Sequence, residues 1–156
     1  MPLPDPYIPD PATERNFREI DQRLTTTETD QTAIDQRLTV FETPEAWHVI
    51  GVLPNPVFEN GWVAFEATAR LPAFYKDPFE TVHLKGLAKN GVVGQPAFTL
   101  PLGYRIVGSS SFGALFLVNS NGGLGDLRIF DSGAVTLNTG SNAYFSLYGI
   151  SFRAEA

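Results

Sequence analysis

Two spacings of apolar residues divide this chain. Between Phe17 and Phe41 they recur in steps of three and four, at Phe17, Ile20, Leu24, Ile34, Leu38 and Phe41. That spacing marks one narrow face of a helix. From Trp47 onward, apolar and polar residues alternate in short runs, the period-two signature of half-buried strands. The helical stretch also repeats itself. Ile20-Asp21-Gln22-Arg23-Leu24-Thr25 returns as Ile34-Asp35-Gln36-Arg37-Leu38-Thr39, 14 residues later, which is two heptads.

With Phe17 at heptad position a, the a-series is Phe17, Leu24, Gln31 and Leu38, and the d-series is Ile20, Thr27, Ile34 and Phe41. Leucine at a with isoleucine at d disfavours two strands and shifts the preference to three or four. Arg23 at g would meet Glu28 at e of a neighbour in parallel, in-register chains, and Arg37 would meet Glu42; Asp30 against Asp35 would repel. A stripe confined to a and d, with polar residues elsewhere, argues against one helix lying on its own domain's core. The spacing therefore predicts a trimeric coiled coil over 12–43. Thr27 and Gln31 form polar layers that lower stability and fix register. The run Thr25-Thr26-Thr27-Glu28-Thr29 is poor helix material, because threonine loses rotamer freedom, so fraying or a break is expected there. Four heptads make a short coil, and the head must contribute trimer contacts of its own.

Residues 1–11 carry five prolines, which exclude a helix or central strand and favour an extended, polyproline-like segment. Such a segment loses little entropy on docking, and Leu3, Tyr7 and Ile8 would be its apolar anchors. Asp10 followed by Pro11 is a helix start, an N-cap with proline at the first helical position. The helix should run from Pro11 to Phe41 and stop at Thr43-Pro44.

In residues 44–156 the expected strands are Trp47–Ile50, Trp62–Arg70, Thr81–Ala88, Ala97–Leu100, Arg105–Val107, Ala114–Asn119, Asp126–Phe130, Ala134–Asn138 and Ala143–Phe152. Asn-Gly and Ser-Gly turns punctuate them, and Asp126–Asn138 reads as a hairpin. Val82 and Leu84 should face inward, with His83 and Lys85 facing out. Many short strands at near-regular spacing predict a mainly β head, an antiparallel β-sandwich or jelly roll of about 110 residues.

Composition agrees with that division. Charged residues are 18%, against 14 glycines, 12 prolines and 12 phenylalanines, a mixture that suits strands and turns. The absence of cysteine excludes a disulfide or thiolate metal site. Neither a signal peptide nor an apolar run of spanning length is visible, so no membrane insertion is expected. The net charge of −6 is uneven: residues 1–43 hold four basic and nine acidic side chains, a net of −5, and residues 44–156 hold seven and eight, a net of −1. An acidic stalk and a near-neutral body do not suit a nucleic-acid backbone.

Four stretches carry a family resemblance. They are Thr81-Val82-His83-Leu84-Lys85-Gly86-Leu87, then Phe98-Thr99-Leu100-Pro101-Leu102-Gly103-Tyr104-Arg105, then the Asp131–Leu137 hairpin, then Phe145-Ser146-Leu147-Tyr148-Gly149-Ile150-Ser151-Phe152. In that order, with Trp47-His48-x-Ile50-Gly51 and Phe58-x-Asn60-Gly61-Trp62 upstream, residues 46–154 resemble the head domains of trimeric bacteriophage tail and baseplate fibre proteins. The resemblance implies a trimeric jelly roll on a short coiled coil, held to the virion at its N-terminal end. Some relatives bind host-surface glycans and others only decorate the particle; no ligand residues carry over.

No catalytic motif is present: no Gly-x-Ser-x-Gly, P-loop, Gly-x-Gly-x-x-Gly or His-Glu-x-x-His. His48 and His83 fall on separate strands and read as structural or surface residues, so neither a metal nor a cofactor is expected. Asp77 and Glu80, with Glu59 and Glu66, read as solvated charges before they read as a glycosidase pair. Exposed aromatics suit carbohydrate better, because sugar rings stack on aromatic faces. Phe74, Tyr75, Lys76 and Asp77 form the leading ligand candidate, a polar-aromatic loop between prolines. Tyr104 and Arg105 follow, while Trp47 and Trp62 read as core or subunit-interface residues. The Gly108–Gly113 and Asn119–Gly125 segments are expected as solvent-reaching loops. The resulting expectation is a non-enzymatic homotrimeric virion fibre that docks to other virion proteins through residues 1–11 and binds a host glycan through its head. The same parts would also serve a fibre that decorates a capsid or completes a tail tip.

Overall fold

The computed structural model describes residues 10–42, 44–106, 108 and 112–154, with the side chains of residues 40–42 outside that description. The anchors Leu3, Tyr7 and Ile8, the side chain of Phe41 and residues 109–111 of the Gly108–Gly113 segment therefore lie outside the described residues. The chain divides at Thr43–Pro44 into two units.

The first unit is a single helix, α1 (Pro11–Glu42). Asp10 caps it as its sequence requires: Oδ1 accepts from the backbone N–H groups of Ala12 at 2.7 Å and Thr13 at 3.1 Å. Those two donors hold the Asp10 carboxyl below its usual range. The expected break at Thr25–Thr29 does not occur. Thr25, Thr26, Thr27 and Thr29 each turn their hydroxyl back to the carbonyl four residues earlier, at 2.9 Å, which satisfies the hydroxyl without opening the backbone ladder. Every described side chain from Glu14 to Thr39 is exposed in the single chain.

The second unit is mainly β, with two curled antiparallel sheets. Its described strands are β1 (His48–Val49), β2 (Val63–Ala64), β3 (Ala73–Lys76), β4 (Thr81–Lys85), β5 (Leu87–Lys89), β6 (Pro96–Thr99), β7 (Ala114–Ser120), β8 (Gly123–Ile129), β9 (Ala134–Thr139), β10 (Phe145–Ser146) and β11 (Ser151–Arg153). One sheet has the order β1-β3-β4-β11 and the other β2-β5-β10-β7-β8-β9-β6. Both contribute to one core, with Phe74, Val82, Leu84 and Phe152 from the first and Phe98, Leu127, Ile129, Val135, Leu137 and Phe145 from the second. Burying these side chains is the main favourable term in folding the head.

Several expected strands change in an instructive way. Thr81–Ala88 and Ala143–Phe152 are not continuous strands. Each crosses from one sheet to the other at the same corner, so that β4 and β11 pair in the first sheet and β5 and β10 in the second. Gly86 makes the turn possible: its φ is +97°, and a Cβ there would sit 2.4 Å from the Leu71–Pro72 peptide. The chain from 147 to 150 forms the facing turn, tied by Leu147 N–H to the Gly86 carbonyl at 2.9 Å. The expected strand Trp62–Arg70 contracts to Val63–Ala64, and of the expected strand Arg105–Val107, whose last residue lies outside the described residues, Arg105 and Ile106 provide the isolated bridge from Ile106 to Ala154. Phe74–Lys76, expected as loop, is strand β3 between β1 and β4. Asn119–Gly125 is a tight hairpin, not a loop. Its Asn121-Gly122 tip has positive φ at both residues, as a two-residue hairpin turn demands. The Asp126–Asn138 hairpin forms as β8–β9, and Val82 and Leu84 are buried as expected.

Candidate functional site

Alternation along β3 splits the sequence-derived ligand residues between two sides of the sheet. Phe74 is 1% exposed and belongs to the core. Tyr75, its neighbour, points the other way and meets Trp47 edge-on at 4.5 Å between ring centroids; His83 stacks on it at 4.9 Å with an interplanar angle of 17°. Lys76 returns to the side of Tyr104, with its ammonium 5.7 Å from that ring, and pairs with Glu80.

Asp77 is committed to the turn between β3 and β4. Its Oδ1 accepts the N–H groups of Phe79 and Thr81 at 2.9 Å, and Oδ2 lies 2.9 Å from His83 Nε2. Partial burial would raise its pKa, but these hydrogen bonds outweigh that effect and hold it below the usual carboxylate value. The other carboxylates weighed as acids are also engaged. Glu59 accepts from the Thr99 hydroxyl at 2.8 Å, and Glu66 lies 3.7 Å from Arg70. Among the described residues, no group of three His, Asp or Glu side chains is placed to share a metal ion, and no helix is long and apolar enough to cross a membrane.

Tyr104 and Arg105 lie away from Tyr75. Tyr104 packs edge-on against Phe74 at 4.9 Å and His48 at 5.6 Å, and its hydroxyl donates to Glu45. Burial, then the bond to Glu45 and its charge, push the phenol up to about 12. Glu45 also lies 2.6 Å from His48 Nε2 and accepts the Lys76 N–H at 2.8 Å. Burial alone would raise the Glu45 pKa; the bonds from Tyr104, His48 and Lys76 win and lower it. This network pins the first residues of the head to β3. It borders a cleft of about 390 Å³ walled by His48, Asn55, Phe74, Thr99, Pro101 and Tyr104. Arg105 donates from Nε to the Leu100 carbonyl at 3.0 Å, which is a turn-stabilising role.

The aromatic surface suited to a ligand therefore lies on the outer side of the first sheet. A cleft of about 310 Å³ is lined by Trp47, Tyr75, His83, Lys85, Tyr148 and Ser151, together with neighbouring backbone. Trp47 is 39% exposed and Tyr148 is 52% exposed. Of the sequence candidates, only Tyr75 lines it. Trp47, the β4 residues His83 and Lys85, and Tyr148 come from three segments that the antiparallel pairing brings together. The available sequence signal was the parity of β4, which places His83 and Lys85 outward. Trp62, the other tryptophan, is 1% exposed and packs on Phe145. No family model, curated protein or solved structure matches this chain.

Proposed function

We propose that this chain is a homotrimeric virion fibre of a tailed bacteriophage, with residues 1–11 docking to other virion proteins, α1 forming a trimeric coiled coil, and a jelly-roll-like head attaching to host-surface carbohydrate. The observation that carries this reading is the uncovered stripe on α1. Phe17, Ile20, Leu24, Ile34 and Leu38 are 51–61% exposed in the single chain, at the a and d positions of one heptad frame. A helix with such a stripe is stabilised when other copies cover it. Leucine at a and isoleucine at d favour three copies over two.

The head offers a second surface for its own copies. Leu115, Leu117 and Leu124 are exposed on the outer face of the β7–β8 hairpin, around the 3.1 Å Asp126–Arg128 ion pair. Three heads tethered by one stalk are at high effective concentration, so modest apolar contacts suffice to hold them together. Attachment then works by avidity, with three weak sites acting as one.

Purified trimer is expected to bind susceptible cells, and virions lacking it to adsorb poorly. A trimer that binds no susceptible cells, with undiminished adsorption by the deletion virion, would leave the decorating role and remove the attachment role. Deleting residues 1–11 should leave the trimer folded and block incorporation into particles; normal incorporation would contradict the docking role.

A further inference from the structure

The Trp47–Tyr75 cleft does not stand alone. A second cleft of about 370 Å³, lined by Phe65, Arg70, Leu87, Asn119, Tyr144, Ser146 and Tyr148, shares the Tyr148 wall with it. Tyr148 stands on the 147–150 turn, at the corner where the chain passes between sheets, and Leu84 and Leu87 of the adjoining strands line one cleft each. The two clefts make one interrupted track with aromatic rings along it: Trp47 and Tyr75 on one side of Tyr148, and Phe65 and Tyr144 on the other.

Cations accompany the rings. Lys85 Nζ lies 4.1 Å from the Trp47 ring centroid and Lys89 Nζ lies 5.1 Å from that of Phe65. Among the described residues, neither lysine has a carboxylate within ion-pair reach, whereas Lys76, Arg70 and Arg128 each do. Each ammonium rests on an aromatic face instead, a contact that a flexible four-carbon stem gives up readily when an anion arrives.

We propose that this track binds an acidic polysaccharide, with sugar rings on Trp47, Tyr75 and Tyr148 and their anionic groups on Lys85 and Lys89. The proposal rests on the carbohydrate-attachment reading and specifies its ligand class. Two adjoining clefts fit successive units of a polymer better than one terminal sugar. Charge complementarity selects the acidic polymer over the neutral one. Carboxylate and phosphodiester are equally suited to an ammonium, so the linear chemistry is shared and the source is decided by the probe.

The test is calorimetric titration of the full-length protein with oligogalacturonate, glycerol-phosphate teichoic acid and maltoheptaose. At least one acidic chain should bind ten or more times tighter than maltoheptaose and weaken as salt rises. Which acidic chain binds identifies the source of the anion. Tyr148→Ala and the double change Lys85→Gln with Lys89→Gln should each lower that affinity about tenfold. Unchanged thermal unfolding would show that these changes leave the fold intact. Maltoheptaose binding equal to the acidic chains, unaffected by the lysine changes, would overturn the acidic class while leaving carbohydrate attachment standing. A folded protein that binds none of the three would overturn the proposal, and cell binding by the same preparation would then separate its failure from that of attachment.

Discussion

The helix and the head treat apolar residues in opposite ways. In the head, Phe74, Phe98, Leu127, Ile129, Leu137 and Phe145 are at most 1% exposed and share one core. On α1, five large apolar side chains are more than half exposed. The head can bury its own surface within one chain; among the described residues of its own unit, the helix has nothing to bury against. A 32-residue helix rich in threonine is marginal alone in water. The same chain thus combines a unit with an internal core and a unit whose apolar stripe, in the proposed trimer, is covered by other copies. Chemical damage to one should leave the other recognisable.

The largest effect is expected from Ile34→Asp. It places like charges together in the proposed seam, and sedimentation should show the trimer lost while the head keeps its β-type circular dichroism. A trimer that survives this change would refute the heptad frame. Next comes Gly91→Ala, which strikes the head alone. A Cβ at Gly91 would lie 2.1 Å from the Trp62 ring, so the buried indole must move. Overpacking of this kind costs about 1–3 kcal/mol. Denaturant unfolding should show that loss in the head transition with trimer mass unchanged.

The smallest effect concerns pH. Glu45 is held below its ordinary pKa in the folded head, so its contribution is present above the unfolded value and lost as pH falls through the lower folded value. Head stability should therefore decline on acidification below the ordinary carboxylate range. Glu45→Gln should lower stability at neutral pH and flatten the part of the decline that this carboxylate causes. Parallel thermal melts from neutral to acidic pH would check it; identical pH slopes for both proteins would contradict the role of Glu45.

The helix was legible because its signals are local: Asp10-Pro11 at the start and a repeat of two heptads. The head's β class and the β8–β9 hairpin were legible for the same reason, since alternation and turn residues lie close in sequence. Threonine propensity misled at Thr25–Thr29, where hydroxyls bond back to carbonyls within the helix. Strand ends misled where tertiary geometry intervenes. Nothing local distinguishes Gly86 as the point where two strands change sheets, and the prolines flanking Ala73–Lys76 disguise a central strand as a loop. The candidate site suffered most, because its rings come from Trp47, Tyr75 and Tyr148, which only the pairing of β1 with β3, of β3 with β4 and of β4 with β11 gathers. Parity along β4 did carry part of the answer, in the outward placement of His83 and Lys85.

The most direct test of the account is the mass of the intact protein in solution. Sedimentation equilibrium at micromolar concentration should give three times 17.1 kDa, about 51 kDa. A monomer mass would contradict the account, since it would leave the apolar stripe from Phe17 to Leu38 exposed to water. A dimer would contradict the assignment of leucine at a and isoleucine at d, which disfavours two strands, and a tetramer would contradict the proposed count of three copies.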